Sequence, residues 1–180
     1  MRVSGWALLL VLASASLLAP VSHGLSPRSS VGLTDHGRIS PERSAAALLE
    51  IAGDLLSAVC WWETRGERRR GIHDDARGDG GKAVGRCQVY VGTAARWLGI
   101  TREQLADPAV TATIIAMLRR PALNTYFAGL ELRHCLRRRS TTERAIFCYQ
   151  GGRMKRWEGP TRGTTSVLEA WARIKSGRTP

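Results

Sequence analysis

Residues 40–66 read Ser40-Pro41-Glu42-Arg43-Ser44-Ala45-Ala46-Ala47-Leu48-Leu49-Glu50-Ile51-Ala52-Gly53-Asp54-Leu55-Leu56-Ser57-Ala58-Val59-Cys60-Trp61-Trp62-Glu63-Thr64-Arg65-Gly66, and their apolar spacing decides the fold. Leu48, Leu49, Ala52, Leu55, Leu56 and Val59 recur at helical spacing, on one face of an α-helix. Ser40 can cap that helix, with Pro41 at its first position, where a missing N–H leaves no bond unmade. The pattern predicts one helix running to about Glu63 and stopping near Gly66.

A charged, glycine-rich loop follows, Arg65 to Lys82, with Glu67, Asp74, Asp75 and Asp79 among several Arg. Loops of this length within a domain are usually functional or mobile. Beyond it, Thr93 to Leu98 reads as a short helix ended by Gly99, and Thr101-x-x-Gln104 is a capping box. Asp107-Pro108 opens a helix carrying Val110, Ile114, Ile115 and Leu118, which Pro121 interrupts. Ala122 to Arg138 makes another, and Ser140-x-x-Glu143 is a capping box for a helix through Tyr149, ended by Gly151-Gly152. A last helix aligns Val167, Leu168, Trp171 and Ile174 on one side. No strand-length alternation appears outside the loop and no internal repeat is visible, so residues 40–180 are expected to form one mainly α domain.

Upstream, Met1-Arg2 precedes an apolar stretch from Trp6 to Ala19, then Pro20 and the small residues Ser22 and Gly24 around His23. This is the layout of a secretory signal over residues 1–24. Its uninterrupted apolar part falls short of the ~20 residues of a spanning helix, so a membrane contact is expected only if the signal stays uncleaved. Residues 25–39 have no periodicity and read as a flexible lead-in. The expected location is periplasmic or secreted. Cys60, Cys87, Cys135 and Cys148 all lie beyond the signal, and an even number of cysteines in an exported chain favours disulfides, with three connectivities open. Their spacing offers no zinc half-site.

Of the 180 residues, 27 are Lys or Arg and 15 are Asp or Glu, giving a net charge of +12. The sign excludes a cationic partner surface and suits nucleic acid, anionic lipid or a bacterial wall. Export and the lack of a recognised binding motif disfavour nucleic acid.

The segments Ala58 to Gly66, Gly81 to Val89, Thr93 to Gly99, Asp107-Pro108 and Ala145 to Gly152, in that order, resemble the soluble lytic transglycosylases of the lysozyme-like superfamily. The family reads as a Glu-Ser pair, G-x-x-Q, a Thr-Ala-x-x-Leu-Gly-like stretch, Asp-Pro and Y-N-x-G. The resemblance spans roughly Leu55 to Gly152 and implies a single lysozyme-like domain with a long loop after the catalytic helix. It implies Glu63 as the catalytic acid, Thr64 where the family has Ser, Gln88 lining the sugar groove and Tyr149 near the acid. Gln150 stands where the family has Asn. The implied partner is the peptidoglycan glycan strand, met by a monomer without metal or cofactor, recruited by a secretion or other envelope-spanning machine in some family settings.

Glu63 has a physical case of its own. Cleaving a glycosidic bond near neutral pH needs a carboxyl group that is still protonated, and Trp61 and Trp62 supply an apolar setting that disfavours the charged form. The plain alternatives are a solvated Glu63 paired with Arg65 or Arg68, Gln88 as a turn residue, and Tyr149 as a core aromatic whose hydroxyl meets the backbone. Ordinary glycosidases use two carboxylates. The family resemblance implies one, with the muramic acetamido group stabilising C1 and a 1,6-anhydro product. Should Asp74, Asp75 or Asp79 face Glu63, a hydrolase follows instead. A third reading is a non-catalytic wall-binding protein.

Overall fold

The computed structural model describes residues 40–64, 74–151, 157–178 and 180, all within one compact unit, Leu33–Pro180. The expected signal, the lead-in and residues 65–73 of the loop lie outside the described residues.

The helix expected from Pro41 to Glu63 is two: α1, Pro41–Leu49, and α2, Gly53–Thr64. Ser40 caps α1 as the sequence suggests, its hydroxyl accepting from the Arg43 N–H at 3.3 Å. The break lies at Glu50, in the left-handed region at φ 52°, with the Ile51 N–H turned back to the Ala46 carbonyl at 3.1 Å. That is a helix C-cap geometry, and Gly53, a poor interior helix residue, starts the next element. The turn lets α1 bury Ala45, Ala46 and Leu49 while α2 buries Leu55, Leu56, Ala58, Val59 and Cys60 along a different axis. Apolar spacing alone runs unbroken across such a turn, which is why the sequence reads as one helix.

A three-stranded antiparallel sheet follows, β1 (Arg77–Gly78), β2 (Ala83–Val84) and β3 (Val89–Tyr90). Arg77 faces Val84 across β1 and β2, and Ala83 faces Tyr90 across β2 and β3. Then come α3 (Val91–Trp97), α4 (Arg102–Leu105), α5 (Pro108–Leu118), α6 (Pro121–Arg138), α7 (Thr142–Tyr149) and α8 (Arg162–Lys175). The described residues are thus mainly helical. Thr101 and Gln104 form the expected reciprocal capping box, and Asp107 caps α5. For α7 the cap is Thr141 rather than Ser140: its hydroxyl accepts from the Arg144 N–H, moving the start by one residue.

Helix α1 packs on α6, α2 on α8, and α6 on α7. Leu56, Val59, Leu118, Leu132, Ile146 and Val167 form the fully buried centre. Gly129 of α6 gives Leu49 room there, since a Cβ would stand 2.5 Å from Leu49 Cδ1 and make that side chain shift. Two disulfides, Cys60–Cys87 and Cys135–Cys148, tie α2 to the hairpin and α6 to α7, and they fit an oxidising compartment. No helix among the described residues is long and apolar enough to cross a membrane.

Candidate active site

Glu63 sits in the last turn of α2 and opens into a cleft of about 340 Å³. Helix α2 contributes Trp62 and Glu63, the sheet region Asp79, Gln88 and Tyr90, α6 Glu131, and the end of α7 Tyr149 and Gln150.

Cys87 is the point at which these elements meet. Its sulfur is bonded to Cys60, three residues before Glu63, and its N–H donates to Asn124 Oδ1 at 2.9 Å. Its carbonyl accepts from the Tyr149 hydroxyl at 2.8 Å. Asn124 is fully buried, and its amide also donates to the Val84 and Leu118 carbonyls at 2.8 and 2.9 Å, so both ends of its side chain are satisfied. Gly85, at φ 77°, lies against this amide, and a Cβ there would also come within 2.6 Å of the Leu118 carbonyl oxygen. Only glycine combines that backbone angle with that approach.

Gln88 follows at φ 49°, with its side-chain N–H donating to the Gly85 carbonyl at 2.8 Å. The other end of its amide lies where a Cβ on Gly78 would be, so glycine in β1 is what admits the side chain. Gln88 is therefore fixed before any ligand arrives.

Burial pushes the Glu63 carboxyl from its ordinary 4.5 up to about 7, against a smaller opposing effect of its hydrogen bond to Gln150. Gln150 in turn lies over Gly163, where a Cβ would come 2.9 Å from Nε2. The Tyr149 hydroxyl is pushed well above its usual range by burial first, then by the charges of Glu63 and Glu131, and so remains a donor. Tyr90 is raised chiefly by its hydrogen bond to Asp79, 2.8 Å from hydroxyl to Oδ2, with burial and the charges of Asp79 and Glu63 adding.

The structure brings Glu63, Gln88 and Tyr149 together and leaves Thr64 out. Thr64 is buried, does not line the cleft, and its hydroxyl donates to the Cys60 carbonyl at 3.2 Å within its own helix. The three loop aspartates also separate. Asp74 bridges Arg86, which also meets Glu42 at 2.7 Å; Asp75 is exposed and away from the cleft; Asp79 lines it. Sequence reasoning gave no role to Glu131 or Gln150. Glu131 had no cue, and Gln150 was visible only as a departure at a matched position. Of the three connectivities left open by the sequence, the structure shows Cys60–Cys87 with Cys135–Cys148. No group of three or more His, Cys, Asp and Glu side chains among the described residues could hold a metal ion. No family model, curated protein or solved structure matches the chain.

Proposed function

We propose that the chain is an exported peptidoglycan lytic transglycosylase with a lysozyme-like domain, cleaving the β-1,4 bond between N-acetylmuramic acid and N-acetylglucosamine. The observation that carries this reading is Glu63, whose burial keeps it about half protonated at neutral pH inside an open cleft. Glu63 donates its proton to the glycosidic oxygen as the C1–O bond breaks. The acetamido group of the muramic residue holds the developing charge at C1. The C6 hydroxyl then attacks C1 and returns its proton to Glu63, closing a 1,6-anhydro ring without consuming water. Gln88 holds the sugar, and Tyr149 acts through Cys87 by fixing the hairpin that carries Gln88. The lining of the cleft supports a sugar better than a phosphate backbone: among the described residues, Glu63, Asp79 and Glu131 are its charged members, with no Lys or Arg. Negative potential there stabilises an oxocarbenium-like transition state.

Asp79 favours a second reading, a lysozyme-type hydrolase in which its carboxylate activates water. Its place in the cleft and its contact with Tyr90 are the reason to keep it. Mass analysis of products from purified peptidoglycan decides between the two. The transglycosylase yields muramic ends lighter by one water and an Asp79→Asn variant within about tenfold of the parent, or ~1.4 kcal/mol of barrier. The hydrolase yields reducing ends and loses ~100-fold or more in Asp79→Asn. In either case Glu63→Gln abolishes cleavage; activity surviving in it would assign the acid to another residue, and a parent that binds walls without cleaving them would be a wall-binding protein.

A further inference from the structure

One aromatic ring outside the cleft lining is held in place and still open to solvent. Trp97, the last residue of α3, is 37 % exposed, one of few large apolar side chains left so among the described residues. Its indole N–H donates to Glu131 Oε2 at 3.1 Å. Its ring meets His134 edge-on at 5.9 Å, and the Arg96 guanidinium lies 5.9 Å from its centroid. Glu131 is the link to the site: it lines the cleft, and its carboxylate is bridged by Arg96. Thr93, one helical turn before Trp97 on α3, lines the cleft as well.

An exposed indole costs favourable burial, and orienting it with two α6 partners and its neighbour fixes a ring that would otherwise rotate. The Glu131 contact matches the polar edge of the ring, Arg96 covers part of one face, and the exposed remainder of the indole is the surface open to a ligand. Pyranose rings present such a ligand surface, because their axial C–H groups form an apolar face that stacks on an aromatic ring. Arg96, with a side chain 59 % exposed, keeps N–H donors for hydroxyl groups beside the ring.

We infer that Trp97 is a stacking platform for a sugar of the glycan strand beyond those held in the cleft, so that the protein favours long strands over short ones. This rests on the glycan-binding reading above. The strand is the occupant because the platform is continuous with the cleft through Glu131 and Thr93.

The test uses the full chain carrying Glu63→Gln, which binds without cleaving, and peptidoglycan glycan fragments sorted by length, with affinities from calorimetry. Trp97→Phe and Trp97→Leu are compared in that background. Both remove the N–H bond to Glu131, but only Phe keeps a flat ring. The expected result is that Leu weakens binding of long fragments ~10-fold and spares disaccharides, while Phe stays within about twofold of the parent. Length preference retained in Leu overturns the platform, and equal loss in Phe and Leu assigns Trp97 to positioning Glu131 instead. If the Leu variant fails to fold, the indole emission of Glu63→Gln decides: a shift produced by long fragments alone, and lost in Trp97→Phe, supports stacking, and a shift unchanged in Trp97→Phe refutes it. Failure of Glu63→Gln to bind any fragment removes the glycan reading itself, and the platform with it.

Discussion

A carboxyl group kept protonated near neutral pH must lower stability wherever it is forced to ionise, and Glu63 puts that cost in one residue. Between its ordinary 4.5 and about 7 the folded chain holds a proton that the unfolded chain has lost. Stability therefore falls as pH rises through this window and levels off above it. Glu63→Gln should be more stable than the parent at pH 8 by roughly 1–3 kcal/mol, with the advantage gone by pH 4. Urea unfolding at the two pH values checks this, and an equal gap at both refutes it. Activity of the parent should fall as pH rises through about 7, since the acid must be protonated. Gln150 opposes burial by hydrogen-bonding the carboxylate, so Gln150→Leu should move that falling limb to higher pH in a rate profile; a limb moving to lower pH would contradict the contact. Glu63 was legible from its place at the end of an apolar helix; of the two tryptophans expected to surround it, Trp62 lines the cleft with it, whereas Trp61 lines a separate pocket against α8. Gln150 was not, since its partner is 87 positions away and only the fold brings the end of α7 beside Glu63.

The elements differ in how they are held, and the two disulfides make the difference measurable. Their sequence separations, 27 and 13 residues, give about 3.5 and 3 kcal/mol in the chain-entropy account, so removing either pair should destabilise similarly. Their effects on catalysis should diverge. Cys60→Ser with Cys87→Ser frees the hairpin carrying Gln88 from the helix carrying Glu63, whereas Cys135→Ser with Cys148→Ser leaves that hairpin anchored by Asn124. At a temperature where both variants are folded, the first pair should lose ~10-fold or more in kcat/KM and the second much less. Equal losses would mean that Asn124 and Tyr149 hold the hairpin unaided. Helices with strong caps were legible, as the Thr101–Gln104 box and Asp107-Pro108 show. The turn at Glu50 was not, because a left-handed C-cap on a non-glycine residue leaves no mark in apolar spacing. Nor was the sheet, whose two-residue strands are too short to alternate.

At the scale of the whole molecule, charge is divided in a way that composition hides. The chain carries +12, yet among the described residues those that line its cleft with a charge are Glu63, Asp79 and Glu131. A basic surface attracts an anionic wall, while an acidic cleft steadies positive charge at C1. The two roles respond differently to salt. Exposed charges interact over a Debye length of about 10 Å at 0.1 M and about 3 Å at 1 M, whereas charges inside a partly desolvated cleft are screened less. Raising salt across that range should therefore weaken binding and clearance of intact walls steeply, while turnover of short glycan fragments, with one carboxylate per muramic residue, changes less. Turbidity assays on walls run beside fragment cleavage at the same salt concentrations measure the two arms. Parallel decline of both would place the electrostatic dependence in the cleft itself, and salt-independent clearance would leave the net charge without a part in reaching the wall.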